Sequence, residues 1–256
     1  MPAGYAHYVF GEMVLEKLDP YYQDMIHRNK ELYHIGIHGP DILFYYKALS
    51  SNPIKALGSS MHQKEAYVFF QEAQEKLKAQ DNEAALAYIY GFINHFVLDH
   101  ACHGYIGEME KELQMTHSEI ESELDRQILV DKGLNPLTTC LTRHIHVSDG
   151  ICETIAPFFH LKPQQIEKSL KDLLFYLSCI RAPGKIKRSF VYLCMKIGGI
   201  YDDLHGLLIN YEPNVKSQEC VQHLIHTMND QVLLSKKLIE SFLEQDLDDI
   251  YHHNFE

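Results

Sequence analysis

"NHFVLDHACHGY", residues 94–105, sets three histidines and one aspartate among Phe96, Val97, Leu98, Ala101 and Cys102. A helix written with those apolar residues belongs in a core, where ionisable groups are costly to hold. Each residue of an α-helix advances by about 100°, so positions four apart lie about 40° apart around the axis. His95, Asp99 and His103 therefore share one face, and His100 points well away from it. The next such pair, His117 and Glu121, begins fourteen residues after His103 and repeats the four-residue spacing. Imidazole and carboxylate are ligands that suit zinc. Without cations, each of these groups would cost several kcal/mol to bury. Either these groups lie on a wet face, or bound cations offset their burial; the ligand types and spacing suit the second.

The composition agrees. The chain has 256 residues, enough for a sizeable core, and carries a net charge of −12 from 35 acids and 23 bases. That balance argues against stable nucleic-acid binding through phosphate neutralisation and leaves carboxylates for cations. Seventeen histidines are present, nine of them before residue 118. Glu12, Glu16 and Asp19 interrupt any leader pattern, and no run of about 18 apolar residues appears. The expectation is a cytoplasmic protein with no transmembrane segment. Six cysteines without a CxxC pair read as reduced, mostly buried thiols.

Periodicity is helical nearly throughout. Val9, Phe10, Met13, Val14 and Leu18 form one stripe, stopped at Asp19-Pro20. Pro40 suits a first helical turn with Asp41 behind it. Ser60 and Gln63 suggest a capping box opening a helix to about residue 79, and Thr116 and Glu119 a second one opening a helix to about 130. Residues 83–103 read as a helix ended by Gly104, with further helices at about 138–156, 163–180, 186–210 and 216–245. The expected fold is all-α: a single multi-helical domain over 1–256, with the metal-binding part at about 1–130 and additional helices at about 131–256.

The order of the candidate ligands resembles the zinc-dependent phospholipase C family, which is similar in fold to the S1/P1 nucleases. Eight side chains follow that family's order over about residues 1–130: His7, Asp41 in "HGPDI", His62 in "SSMHQ", His95 with Asp99, His103, and His117 with Glu121. The resemblance implies the all-helical phospholipase C / P1 nuclease fold and up to three zinc ions. One would take Asp41, His62, His95 and Asp99. A second would take His103, His117 and Glu121 and keep an open position. The third would take His7 and the chain's N-terminus, Pro2 once the initiator methionine is removed, with Asp99 bridging from the first. Two features depart from the family. The histidine after the bridging aspartate comes early, at His103, with His100 as the competing but wrongly phased choice. The second is the chain's start, which lacks the signal whose cleavage exposes the N-terminus of secreted members.

That resemblance implies a zinc-dependent phosphoric ester hydrolase, most like a phospholipase C. A metal-bound hydroxide would attack a phosphodiester in line, and Asp41 would be the catalytic residue that orients or deprotonates the water. The expected substrate is a phospholipid, split into diacylglycerol and a phosphorylated head group. Ile42 stands where an aromatic would help enclose a choline, so phosphatidylcholine is not singled out. A nuclease or phosphomonoesterase with the same cluster is one alternative. A non-catalytic, zinc-stabilised helical binding module is another, marked by closed four-ligand sites. Ferritin-like iron sites need two E-x-x-H motifs, and only Glu31/His34 fits. An adjacent His-Asp pair, as HD-type phosphohydrolases need, is missing, with only the reverse Asp99-His100 present. His34 and His38 read as structural neighbours of Asp41. His144, His146, "YDDLH" at 201–205 and His252-His253 read as solvated. Phe44, Tyr45 and Tyr46 read as core.

Overall fold

The computed structural model describes residues 4–80, 82–244 and 246–255. Among them the chain forms α1 (Gly4–Lys17), α2 (Pro20–Arg28), α3 (Lys30–Gly36), a 3-10 turn at Gly39–Tyr45, α4 (Pro53–Gln63), α5 (Tyr67–Ala79), α6 (Glu83–Leu113) and α7 (His117–Asp131). There follow α8 (Asp149–Ile155), α9 (Pro163–Ile180), α10 (Lys185–Ile197), α11 (Tyr201–Leu204), α12 (Gln218–Asp230) and α13 (Val232–Ser241). No strand occurs among the described residues, so the fold is all-α as expected. No helix among them is long and apolar enough to cross a membrane.

The axis of the molecule is α6, which is buried on nearly every side from Ala85 to Asp99. A helix that is apolar all round has to be wrapped by others, and α1, α3, α7, α12 and α13 all pack on it. Gly104 does not end it, as the sequence suggested. Cys102, Ile106, Met109 and Leu113 continue an apolar face at four-, three- and four-residue steps, and their packing on the core outweighs the weak helix preference of glycine. The end comes at Gln114, in the left-handed region at φ 53°.

Other boundaries are corrected too. The helix expected to open at Ser60 begins earlier, at Asn52-Pro53, where Asn52 Oδ1 accepts from the N–H groups of Ile54 and Lys55. It breaks after Gln63, and Ala66 N–H donates instead to the His253 carbonyl. Most of 138–156 is turn and irregular chain, with only Asp149–Ile155 α-helical. The 186–210 stretch stops at Gly198-Gly199, and 216–245 divides at Gln231. The Thr116/Glu119 capping box is present on both sides. The cysteines are unpaired thiols, but Cys102, Cys152 and Cys220 alone among them are buried and Cys194 is exposed.

The closest crossing lies between α3 and α6, and it sets the site. A Cβ on Gly91 would fall 2.1 Å from the Tyr33 carbonyl oxygen, and one on Gly36 would fall 2.1 Å from that of Tyr88. With both side chains absent, the two backbones touch. The chain leaving α3 then turns through Gly39 (φ 51°), whose missing Cβ leaves room for the His95 ring. A polar knot holds the same crossing. Asn94 donates to Tyr33 Oη at 2.8 Å and accepts from Ser235 Oγ at 2.6 Å, while Tyr33 donates to the Gly11 carbonyl at 2.6 Å. A buried amide satisfied from three helices fixes their register.

Gly91→Ala is expected to cost about 3 kcal/mol, because neither backbone can retreat without breaking the knot. Gly104→Ala, which meets open space, is expected to be neutral or to stabilise by up to about 1 kcal/mol. Denaturant midpoints of the two variants check this. Equal midpoints would mean that the helices do not cross at this separation.

Candidate metal centre

Helix α6 presents His95, Asp99 and His103 along one face, as their spacing requires. His95 is fully buried and Asp99 nearly so. The 3-10 turn after Gly39 brings Asp41 to them, α4 brings His62, α1 brings His7, and α7 brings His117 and Glu121. All eight side chains named from the sequence are thus gathered at one place. Their ligand atoms fall into three groups, each with mutual separations within 4.8 Å: His7, His95 and Asp99; Asp41, His62 and His95; and His103, His117 and Glu121. Pro2 lies outside the described residues.

Asp99 stands at the centre. Its Oδ1 is 3.0 Å from His7 Nε2 and 3.4 Å from His103 Nε2. Its Oδ2 is 2.9 Å from His95 Nε2 and 3.8 Å from His62 Nε2. Asp41 Oδ1 lies 2.8 Å from His62 Nε2. On the outer side, Glu121 Oε1 is 3.5 Å from His117 Nε2 and 3.9 Å from His103 Nε2. His103 thus joins the His117/Glu121 group, whereas His100 turns away to stack on Phe96 and pack against His253.

The residues fit a cation on an observation independent of their spacing. His95 Nε2 and Asp99 Oδ2 approach to 2.9 Å without the alignment of a hydrogen bond, and His95 Nδ1 and His7 Nδ1 are likewise buried without a partner. Asn94, one residue before His95, has its amide satisfied. Buried polar atoms are rarely orphaned, so lone pairs that converge without sharing a hydrogen mark a place for a metal ion. His62 is already oriented for it. Its Nδ1 donates to the Gly58 carbonyl at 2.8 Å, which turns Nε2 toward Asp41.

Electrostatics follow from the same contacts. Burial would raise the pKa of Asp99, but His103, His95 and His7 hold it well below the usual carboxylate range. Burial opposes ionisation of Asp41 also, and His62 overcomes it. For His62, burial disfavours the charged ring, yet Asp41 lifts it to about 9. Burial lowers His95. Without a metal the cluster therefore balances its carboxylates with protons on imidazoles, and a bound cation would take the place of those protons.

Four side chains were not singled out by the sequence or were misread. Asp125 is buried one helical turn beyond Glu121, and its carboxylate accepts the N–H groups of Ala6 at 2.8 Å and Tyr5 at 3.3 Å. These are orphan donors of the first turn of α1, so Asp125 caps the helix that carries His7. The i+4 spacing from Glu121 was its only local signal. Phe255, from the end of the chain, packs its ring on His62, His95 and Phe96. Tyr45 is half-buried rather than core, and its phenol is pushed up by burial and by the carboxylates of Asp41 and Glu121. His144, expected in solvent, is buried: it stacks on Tyr8 and His38, with its Nε2 2.8 Å from His38 Nε2. It pins the irregular segment 132–148 against α1 and the "HGPD" turn. His34, by contrast, pairs with Glu12 at 2.8 Å in a structural role, and His146 and His252 are exposed.

A family model described as zinc dependent phospholipase C matches residues 6–172 of the chain. The match extends beyond the 1–130 region of the resemblance, through α8 and into the first half of α9. No curated protein and no solved structure matches the chain.

Asp125 offers a test of how the site is built. Burial pushes it up to about 7, against the opposing effect of the Ala6 and Tyr5 N–H groups, from an ordinary value of 3.8. Between those values the folded metal-free chain keeps a proton that the unfolded chain releases. This group's contribution to stability therefore falls as pH rises from about 4 to about 7. Asp125→Asn is expected to flatten that slope, to cost about 1–2 kcal/mol through the weakened cap, and to loosen metal at His7. Thermal unfolding across that pH range checks it. An unchanged slope and midpoint would remove Asp125 from the frame of the site.

Proposed function

The chain belongs to the zinc-dependent phospholipase C family, and from that premise we propose that it is a phospholipase C-like hydrolase that cleaves a phospholipid phosphodiester with a zinc cluster. The observation that carries this reading is the convergence of three histidine–carboxylate groups, with buried lone pairs unmet by hydrogen bonds, inside the matched segment. We assign Asp41, His62, His95 and Asp99 to one zinc, His103, His117 and Glu121 to a second, and His7 with Asp99 and the N-terminal residue Pro2 to a third. Bound zinc supplies Lewis acidity, offsetting charge on the phosphoryl oxygens and lowering the pKa of water toward neutrality.

The protein's own groups do the rest. Asp99 carries negative charge between His7, His95 and His103, so it would be the carboxylate shared by neighbouring cations. His62, held by Gly58, fixes Asp41 through its Oδ1. A carboxylate kept so readily ionised is a poor store for a proton but a good acceptor of a hydrogen bond, so Asp41 orients the attacking water. The His117 side chain is 37 % exposed, which leaves the outer group as the entry for substrate and the exit for the leaving oxygen. Phe255 and Phe44 keep water from the inner side of His62.

The test is a substrate panel on zinc-loaded protein: phospholipid vesicles, a synthetic phosphodiester, a phosphomonoester and single-stranded DNA. Chelator-sensitive release of diacylglycerol is expected. Turnover of DNA or the monoester alone would reassign the enzyme to the nuclease or phosphomonoesterase reading, and no turnover at all would favour a structural zinc module. Asp99→Asn keeps the shape and removes the charge, so it is expected to lose at least one zinc and lower kcat/KM by roughly a hundredfold or more. Full zinc and full activity in that variant would mean that the cluster is not organised around Asp99.

A further inference from the structure

Helix α10 lies beyond the segment that matches the family model, and nothing in the metal centre uses it. It is anchored from one side. Arg188 is buried, donates to the carbonyls of Ala182 at 3.3 Å and Ile209 at 2.5 Å, and stacks its guanidinium over Tyr211 at 4.2 Å. Met195, on the same face, sits in a small apolar cluster with Ala182 and Leu208. The opposite face is bare. Ile186, Phe190, Leu193 and Ile197 are 89 %, 64 %, 53 % and 79 % exposed. Their spacing of four, three and four residues puts them on one stripe about 60° wide. Single exposed apolar side chains are ordinary, but a contiguous stripe of four is not.

The charge around the stripe says what covers it. Lys185 and Lys196 flank it on one side and Lys187, whose ammonium donates to the Ser178 and Arg181 carbonyls, on the other, each roughly 90–110° from its centre by helical phase. From 173 to 201 the chain has five basic residues and no acidic one, within a protein of net charge −12. A second copy docked through a two-fold axis would set this basic border against itself. An apolar stripe edged by lysines instead matches a bilayer interface, where rings and aliphatic side chains enter the acyl boundary while ammonium groups stay with anionic head groups.

The connection to the site is direct. After α10 the chain runs through α11 to His205 and Gly206, which pack on α7 at Ser118 and Glu119, with His205 Nε2 3.4 Å from Glu119 Oε1. Ser122 Oγ donates to the Gly206 carbonyl at 2.6 Å, and Arg126 donates to that of Tyr211 at 3.1 Å. The helix is therefore hung from the element that carries His117, the open edge of the cluster.

We infer that the Ile186–Phe190–Leu193–Ile197 face of α10 is an interfacial docking surface for an anionic phospholipid bilayer, which brings lipid to the metal centre. The inference rests on the phospholipase reading above, and its test separates the two. Zinc-loaded protein is sedimented with phosphatidylcholine vesicles, with and without phosphatidylglycerol, and assayed separately on a short-chain phospholipid below its micelle concentration. Wild-type protein is expected to partition onto the anionic vesicles and to be released by high salt. The Ile186→Ser/Phe190→Ser variant is expected to lose that partition about tenfold or more, while its rate on the monomeric lipid is unchanged. Leu233→Ser, removing a 69 % exposed leucine on α13, is expected to bind as wild type. Equal binding by wild type and the double variant would overturn the proposal. So would a wild-type protein that ignores vesicles but changes oligomeric state when the stripe is altered, because the face would then be a protein interface. Stripe-dependent binding by a protein that hydrolyses no lipid would sustain the surface and overturn the substrate reading instead.

Discussion

A carboxylate held out of water among imidazoles is the constraint on which this structure depends. Asp99 is almost wholly buried at the middle of α6, and charge taken out of water is tolerated only where opposite charge is fixed beside it. His7, His62, His95 and His103 supply the surrounding nitrogen atoms from three different helices. Relaxation of any one of those helices by an ångström or two would let water in or leave a charge alone. The devices that stop this are all of one kind: close, specific contacts between the helices that carry the cluster. The glycine crossing with α3, the Asn94 knot, and the Asp125 cap on α1 each remove a freedom that the cluster could not survive.

The chemistry follows from that rigidity. A frame that keeps imidazoles and carboxylates aimed at common points before any ion arrives spends little on reorganisation when one binds. The outer group, with His117 partly in solvent, differs from the two inner groups in the one respect that matters for turnover, which is access. Segments beyond the family match contribute in another way. The tail closes the apolar side through Phe255, and α10 carries a bare apolar face attached to the edge that His117 leaves open.

Local spacing made the ligands legible. His95, Asp99 and His103, and then His117 and Glu121, repeat at four residues on helices whose apolar pattern already demanded burial, and the Thr116/Glu119 box marked where α7 begins. What stayed hidden depends on contacts between residues far apart in the chain. Asp125 caps a helix 119 residues away, Phe255 reaches His62, and His144 finds His38 across 106 positions, so no short pattern announces them. Helix ends failed for the same reason. Gly104 reads locally as a stop, but Ile106, Met109 and Leu113 carry the core face past it, and the helix start at Asn52-Pro53 was passed over for the Ser60/Gln63 pattern. The stripe on α10 was readable as a helix but not as an exposed one, because an amphipathic pattern does not say which face the fold leaves uncovered.

The central claim is that the buried histidines and carboxylates are a preformed cluster of zinc sites. It is tested most directly by anomalous X-ray scattering recorded on crystals of the zinc-loaded protein on either side of the zinc absorption edge. The account predicts separate zinc peaks at the Asp41/His62/His95/Asp99 group and at the His103/His117/Glu121 group, with a third at His7 and Asp99. An absence of anomalous density at these side chains, with His95 and Asp99 instead joined to each other or to ordered water, would contradict it.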